Sequence, residues 1–246
     1  MNALRYLFHR YLLRSFAQEM QDRWCIDSVH HRKRGGFFVE FGAYDGVKFS
    51  NTVLLERQYR WQGICIEPHP IAFARLALNR RCRVLNCAVG SREDTLTLSD
   101  AALVSSLAGT EVEGRPRRSL RVHVRRLDQI LTETNAPSTI DFMSVDVEGY
   151  EDEALLTFPF QRWRILALCI ERPSAALNAK ILAEGFRPMG AIDGLDSFFV
   201  HPEIRDAQEY ERRPWTRLQY RVEAAIHRLE AWGVLTGDAG DWGHGA

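Results

Sequence analysis

The sequence shows no excess of charge of either sign, which argues against one class of function at the outset. Its 246 residues contain 32 Lys and Arg against 32 Asp and Glu, so the formal net charge is zero. Proteins that bind nucleic acid mainly through its phosphates carry a clear basic excess. We therefore expect no nucleic-acid partner, and any charged partner must meet a local patch.

Long apolar runs are also missing. Near the N-terminus Arg5, Arg10 and Arg14 interrupt the apolar residues, and no later stretch approaches the roughly 20 residues that a transmembrane helix needs. We expect no stable membrane insertion. Association of the N-terminal segment with a membrane surface is an alternative, although Glu19 and Asp22 dilute its positive charge.

The five cysteines are odd in number and form no C-x-x-C pair. The sequence therefore supports neither a disulfide framework nor a structural zinc site, and it predicts a reducing, cytoplasmic location. Cys65, Cys87 and Cys169 lie inside apolar runs, where cysteine is most often a small buried hydrophobic residue. No catalytic role is predicted for them.

An amphipathic helix is predicted at the N-terminus. The apolar residues between Leu4 and Trp24 recur at three- and four-residue steps, which is the helical period. A basic loop, Ser28–Gly36, follows, and together these segments make an N-terminal unit over residues 1–34. We expect the helix to dock on the domain that follows.

A second amphipathic helix is predicted beyond Pro202. Its apolar residues keep helical spacing from Trp215 to Trp232 and a Gly-rich tail follows, so a C-terminal unit covers residues 203–246. Packing on the domain is one expectation for this helix. Because exposed tryptophans are common in interfaces, a homo-oligomer formed through the terminal helices is the other.

The region between these units, residues 35–202, alternates short apolar runs with helical stretches. This predicts an α/β fold with a mostly parallel central sheet, helices on both faces and an antiparallel C-terminal hairpin. The predicted strands are Phe37–Phe41, Gly63–Glu67, Arg83–Ala88, Ile140–Val145 and Ile165–Ile170, with an inserted pair, Thr95–Leu98 and Leu120–Val124, and the hairpin Phe186–Met189 and Ser197–Val200. The predicted helices are Asn51–Gln58, Ile71–Asn79, Leu127–Thr132 and Glu151–Leu156.

The first predicted strand runs into a turn with the composition of a binding loop. Glu40 is followed by two glycines four residues apart, Gly42 and Gly46. Glycine at the carboxyl end of a parallel strand lets a ligand approach the backbone. The G-x-G-x-x-G spacing is missing, which disfavours a nicotinamide-dependent oxidoreductase. Glu40 suits a ligand that carries positive charge.

Acidic residues end three further strands. Glu67, after the second strand, can accept both hydroxyls of a ribose, as acids do at this position in nucleotide-binding sheets. Asp146 and Glu148 follow the fourth strand and Glu171 the fifth, so all three are expected on one rim. Neighbouring carboxylates need solvent, a shared proton, a cation or a metal. Mg²⁺ is an alternative here, because these carboxylates could offer it oxygen ligands, but we favour a metal-free site.

In order and spacing, these motifs resemble the FkbM-type S-adenosylmethionine-dependent methyltransferases. The resemblance extends from Phe37 to about Val200. It rests on Val39–Gly46, Phe49–Thr52, Ile66–Pro68, Asn86–Val89, Ser105–Leu107 and Phe142–Glu151. It implies a Rossmann-like methyltransferase fold over residues 35–202 and S-adenosylmethionine as the cofactor.

The resemblance also implies which residues contact the cofactor. The loop from Glu40 to Gly46 would hold its methionine part, Glu67 its ribose and Asn86–Ala88 its adenine edge. Ser50 and Asn51 match the family's S-N-T stretch and are expected near the cofactor or the acceptor. The full expected set is Glu40, Gly42, Ala43, Tyr44, Asp45, Gly46, Ser50, Asn51, Glu67, Pro68, Asn86, Cys87, Ala88 and Asp146.

A carboxylate is expected to remove the acceptor's proton during transfer. We assign this role to Asp146 first and Glu148 second, with Glu171 completing the catalytic set; the alternative is that Glu148 caps the next helix and Asp146 only holds the loop. The family's usual O-methyl transfer favours a hydroxyl of a glycan, sugar or other small molecule as acceptor. A catalytically silent, methyltransferase-like binding scaffold is the alternative function.

A cluster of arginines lies on or beside the insert between the third and fourth strands. A solvated surface is the simpler expectation for it, and binding of an anionic acceptor, such as a phosphorylated sugar, is the other. The cluster comprises Arg115, Arg117, Arg118, Arg121, Arg125 and Arg126.

Overall fold

The computed structural model describes residues 14–99, 119–192 and 195–210. The start of the predicted N-terminal helix, most of the insert with Arg115, Arg117 and Arg118, and the predicted C-terminal helix lie outside these residues. Within the described ranges, no helix is long and apolar enough to cross a membrane.

Strands and helices alternate along most of the described chain. The strands are β1 Phe37–Phe41, β2 Gln62–Ile66, β3 Arg83–Leu85, β4 Ala88–Val89, β5 Asp94–Ser99, β6 Ser119–Arg125, β7 Thr139–Val145, β8 Arg164–Glu171, β9 Arg187–Ala191 and β10 Asp196–Val200. The helices are α1 Gln21–Arg23, which continues as a π-helix over Trp24–Val29, then α2 Val53–Tyr59, α3 Pro70–Asn79, α4 Leu127–Glu133, α5 Glu151–Leu155 and α6 Ala175–Ala183. Helix α6 was not predicted from the sequence.

The main sheet has seven strands in the order β3-β2-β1-β7-β8-β10-β9. The first five of these are parallel, whereas β10 runs antiparallel to both of its neighbours. This confirms the predicted α/β fold with an antiparallel C-terminal hairpin. Chain order reverses between β1 and β7, and ligands of such sheets bind in the crevice at that switch point.

The main sheet separates two layers of apolar side chains, because successive residues of a strand point to opposite faces. On one face Phe38 and Phe142 pack with residues of the π-helix, α2 and α3. On the other face Val39 and Met143 pack with residues of α4, α5 and α6. Helices therefore cover both faces, as predicted.

The strand predicted over Arg83–Ala88 is two strands in different sheets. Strand β3 pairs with β2, whereas β4 pairs with β6 in a second sheet of order β4-β6-β5. The break falls at Asn86, whose side-chain amide donates to the carbonyls of Glu67 at 2.8 Å and Pro68 at 3.0 Å. These bonds tie the segment between the two strands to the end of β2.

The prediction of an amphipathic helix over Leu4–Trp24 is wrong for residues 14–20, the part before Gln21 that the structure describes. Residues 14–20 are not helical, and α1 begins only at Gln21. Met20, directly before it, has a φ of 66°, a left-handed conformation that does not occur inside a right-handed helix. The apolar spacing of this segment reflects burial, since Phe16 and Met20 are both buried.

Hydrogen bonds hold this irregular segment. The buried Asp22 carboxylate accepts from the Ser15 hydroxyl at 2.5 Å and from the Phe16 amide at 2.8 Å. The backbone of Ala17 also forms a parallel β-bridge with Phe49. Tertiary contacts, rather than a helical backbone, therefore place residues 15–17.

The helix that follows belongs to the domain core. Trp24 is fully buried, and its indole nitrogen donates to the carbonyl of Gln208 at 3.2 Å. The Gln21 side chain donates to Asp196 on β10 at 2.6 Å. Segments near the two ends of the described chain therefore meet on one face of the sheet.

Trp24→Ala tests this packing. Removing a buried Trp side chain costs about 3–5 kcal/mol of unfolding free energy, measured by urea denaturation. Leu78→Ala is the control, because Leu78 is 88% exposed on α3 and such a change alters stability by about 0.5 kcal/mol or less. A similarly small loss in Trp24→Ala would contradict its place in the core.

Candidate functional site

The carboxyl ends of β1 and β7 approach each other at the level of the backbone. The Asp146 amide donates to the carbonyl of Phe41 at 3.1 Å. At Gly42, φ is +82° and an added Cβ would lie 1.5 Å from the carbonyl oxygen of Asp146. Only glycine fits there. The backbone contact at the switch point therefore requires Gly42.

Residues 42–52, here called the β1 loop, owe their shape to Asp45 and Gly46. The Asp45 carboxylate accepts the amides of the two residues after Gly46, both at 2.8 Å. Gly46 has a φ of +80°, and a Cβ would lie 2.7 Å from side-chain atoms of both Leu76 and Arg80. A larger residue at Gly46 would therefore displace its neighbours.

Glu40 lies beneath the β1 loop and is 3% exposed. Its carboxylate accepts the hydroxyls of Ser50 at 3.0 Å and Thr52 at 2.5 Å, and the amide of Asn51 at 2.7 Å. Arg80 Nη1 lies 3.2 Å from Glu40 Oε2. We expected Glu40 to face a cationic ligand, and its cationic partner in the structure is Arg80.

No sequence pattern points to Arg80, yet its side chain is fully buried. The guanidinium donates to the Glu56 carboxylate, to the Gly46 carbonyl at 3.2 Å, and to the hydroxyls of Ser50 at 3.1 Å and Thr52 at 2.8 Å. An arginine directly after a helix is typical of a solvated, dipole-facing position. Its burial depends on partners that are distant in sequence.

Glu67 lies at the end of β2 beside the β1 loop and is 6% exposed. One carboxylate oxygen accepts the Tyr44 amide and the other the His69 amide, both at 2.8 Å. Burial raises the pKa of Glu67 to about 7, although both amide bonds act to lower it. A carboxylate has about four acceptor positions, so two remain for the hydroxyls of a ligand.

The other residues expected around the adenine edge lie next to Glu67. Asn86 is exposed, and its amide bonds to the Glu67 and Pro68 carbonyls place it at the end of β2. Cys87 is buried, which raises the pKa of its thiol to about 11. Ala88 begins β4.

Asn51 links β1 to β7. Its Nδ2 donates to the Ser144 hydroxyl at 2.8 Å. Its Oδ1 is buried and has no hydrogen-bond partner among the described residues. An unpaired buried acceptor costs about 1–3 kcal/mol, so this oxygen is suited to a donor supplied by a ligand. Ser50, in contrast, is committed to Glu40 and Arg80.

Asp146, Glu148 and Glu171 meet where β7 and β8 end. One carboxylate oxygen from each residue lies within 4.8 Å of the others. Burial and the nearby charge of Glu171 raise the pKa of Asp146 well above its usual range, and the same two causes raise the pKa of Glu148. Carboxyls this close favour sharing a proton over full ionisation.

The backbone around Glu148 keeps its carboxylate on this rim. Glu148 has a φ of 53° and Gly149 a φ of 99°. The amides of Val147 and Gly149 donate to the Glu151 carboxylate at 3.1 and 3.2 Å, and no side chain caps α5. The alternative that Glu148 caps the following helix is therefore wrong.

A fourth acid, Asp196, joins this face of the sheet and was missed in the sequence. It pairs with Glu171 in the register of β10 against β8, and burial raises its pKa. From the sequence, acids were expected at this edge only at the carboxyl ends of parallel strands. Because β10 is antiparallel, its first residue reaches the same edge.

The described members of the arginine cluster include two with acidic partners. Arg125 lies 2.5 Å from Glu133 and Arg126 lies 3.0 Å from Asp128. Both acids belong to α4, so these two charges are largely met within the protein. The described part of the insert thus gives little support to a site for an anionic acceptor.

The sheet order, the antiparallel β10 and the binding turn after β1 define a Rossmann-like methyltransferase fold. Residues 40–187, more than half of the chain, match the model of the methyltransferase FkbM domain. The chain belongs to this family.

Several solved methyltransferase structures are similar to this chain. The FkbM methyltransferase of Methylobacillus flagellatus KT has 17% identity and a TM-score of 0.43, over 67% of this chain and 43% of that one. TrmK of M. capricolum, in complex with S-adenosylhomocysteine, has 7% identity and a TM-score of 0.42, over 91% and 89%. Phosphoethanolamine N-methyltransferase 2 of Haemonchus contortus, in complex with S-adenosylmethionine, has 10% identity and a TM-score of 0.29, over 75% and 40%. No curated protein matches the chain.

Gly42→Ala tests the backbone contact between β1 and β7. Gly35→Ala is its matched control, because Gly35 also has a positive φ but a Cβ there meets nothing within 4 Å. The left-handed backbone alone costs an alanine about 1–2 kcal/mol. We expect at least twice the control's loss in Gly42→Ala by chemical denaturation, since Asp146 must move. Equal losses would show that the contact is not formed.

Proposed function

We propose that this methyltransferase uses S-adenosylmethionine to methylate a hydroxyl of a sugar, glycan or other small molecule. The observation that carries the proposal is the position of Glu67 and of the acidic rim on either side of the crevice between β1 and β7. A nucleoside-binding carboxylate and a group able to take a proton thus serve one site.

The described residues fit the cofactor. Glu67 has lone pairs for two ribose hydroxyls, and Asn86, bonded to the carbonyls of Glu67 and Pro68, lies beside it at the end of β2, where we place the base. The buried Oδ1 of Asn51 is the acceptor we assign to the cofactor's ammonium group. When bound, S-adenosylmethionine supplies an electrophilic methyl group on a sulfonium.

In this mechanism Asp146 takes the proton of the acceptor hydroxyl as its oxygen becomes nucleophilic. Burial and the charge of Glu171 raise the pKa of Asp146, which makes its carboxylate a stronger base than that of an ordinary aspartate. Glu148, exposed on the rim, is the second candidate for the same role. The rest of the catalytic contribution is alignment of the acceptor in the crevice.

An uncharged acceptor suits this rim better than an anionic one. Asp146, Glu148 and Glu171 would repel a phosphate placed next to the reacting hydroxyl. A polyol can instead donate hydrogen bonds to the carboxylates, and such bonds to charged groups contribute about 1.5–3 kcal/mol each. This electrostatic preference is the reason for proposing a sugar hydroxyl.

The pH dependence of cofactor binding tests Glu67. Ribose hydroxyls bind its ionised form, so binding releases a proton and affinity rises as pH increases through the pKa of about 7. One-proton linkage predicts a dissociation constant for S-adenosylhomocysteine about tenfold lower at pH 8 than at pH 6 by calorimetry.

Glu67→Gln should weaken binding by about 10- to 100-fold at pH 8 and remove most of this slope. An unchanged slope in the variant would assign the proton to another group. No binding by folded wild-type protein would favour the silent-scaffold alternative.

The catalytic role of the rim is tested with ¹³C-methyl-labelled S-adenosylmethionine and a panel of sugars and polyols. Asp146→Asn should lower the transfer rate by about 10²–10⁴-fold. Glu148→Gln is measured in parallel, and Glu153→Gln, an exposed acid on α5, is the control. The methyl resonance of the product distinguishes transfer to oxygen from transfer to nitrogen.

Rates near wild type in both Asp146→Asn and Glu148→Gln would remove the general-base assignment.

The same assay tests the metal-free site that we propose. The oxygens of the three acids lie close enough together to hold Mg²⁺. Addition of EDTA should leave the rate unchanged, and a loss restored by Mg²⁺ would assign a metal to the rim.

A further inference from the structure

The burial of Arg80 requires an explanation beyond packing. A guanidinium removed from water is costly unless charges and acceptors surround it. Here Glu40 on β1 and Glu56 on α2 provide two negative charges for one positive charge. A smaller, apolar side chain at this core position would avoid the desolvation cost of the ionic cluster.

The guanidinium contacts both halves of the β1 loop. It donates to the Gly46 carbonyl at 3.2 Å in the first half, and to the hydroxyls of Ser50 at 3.1 Å and Thr52 at 2.8 Å in the second. Because the donors of arginine are fixed in one plane, these bonds set the distance between the two halves. The loop therefore has one conformation in which all of them form.

That conformation is strained and leads directly to Glu67. Tyr44 and Phe49 have φ values of 49° and 62°, which residues other than glycine adopt only when their surroundings hold them there. The Tyr44 amide, two positions before Gly46, donates to Glu67 Oε2 at 2.8 Å. A change in the loop at Gly46 thus reaches the carboxylate assigned to the ribose.

We propose that Arg80 is a positioning residue that holds the β1 loop in its binding conformation before the cofactor arrives. Its role toward the cofactor rests on the proposed function. Arg80 contacts no reacting atom; it acts through Glu40, the loop and Glu67. Lysine cannot replace it, because an ammonium is a point charge without the planar set of donors that joins Glu40, Gly46 and Thr52.

The test compares Arg80→Lys with Arg81→Lys, which makes the same change at the next residue, where the side chain is exposed. Hydrogen exchange of the protein without cofactor is measured at the amides of Gly46 and Asn51, and at those of β7. Calorimetry then gives the dissociation constant of S-adenosylhomocysteine. We expect Arg80→Lys to accelerate exchange in the loop at least tenfold with β7 unchanged, and to weaken binding about tenfold.

Two results would overturn the proposal. In the first, the exchange rates of the loop amides and the dissociation constant of S-adenosylhomocysteine both stay within twofold of wild type in Arg80→Lys. In the second, Arg80→Lys exchanges faster throughout β7, but the folded variant binds S-adenosylhomocysteine as tightly as wild type. A purely structural role for Arg80 would give this result. If Arg80→Lys does not fold, Thr52→Val is measured in the same way; it removes one acceptor of the guanidinium and one donor to Glu40 and keeps both ion pairs.

Failure of this proposal is distinguishable from failure of the proposed function. If wild-type protein does not bind S-adenosylhomocysteine, the cofactor assignment falls. Hydrogen exchange in Arg80→Lys and Arg81→Lys then decides by itself whether Arg80 holds the loop.

Discussion

A buried ion pair between Glu40 and Arg80 is the contact on which the ligand-facing edge of the sheet depends. Glu40 occupies a position on β1 that points to the same face as the apolar Phe38, and its charge can remain there only because hydroxyls and a guanidinium surround it. The hydroxyls belong to the loop after the strand, and the guanidinium donates hydrogen bonds to that loop. The ion pair and the hydroxyls around it, the most polar part of this side-chain layer, therefore also determine the shape of the crevice between β1 and β7.

A second constraint is the accumulation of negative charge at the other side of the crevice. Asp146, Glu148 and Glu171 are held together by strand ends and by a loop with left-handed residues, although their charges repel one another. Burial and the charge of Glu171 raise the pKa of both Asp146 and Glu148, so these two acids hold their protons to higher pH than usual.

Much of the fold could be predicted because short apolar runs bounded by turn residues are typical of parallel strands. Gly42 and Glu67 could be singled out as candidate site residues for the same reason, since each directly follows such a run. Arg80 could not, because its burial depends on acids 40 and 24 positions earlier. Asp196 could be placed at this edge only once β10 was known to run antiparallel to β8. Helical spacing was misleading before Gln21, where tertiary contacts replace the helix.

The contacts of residues 21–29 with β10 and the segment after it affect the order in which the chain can fold. Trp24 and Gln21 bond to residues 184 and 175 positions later, so during synthesis these two side chains lack those partners until residues 208 and 196 have been made. Such long-range contacts raise the contact order and slow folding. Until β10 is in place, Trp24 also lacks its ring contact with Phe198, and apolar surface exposed during folding favours aggregation.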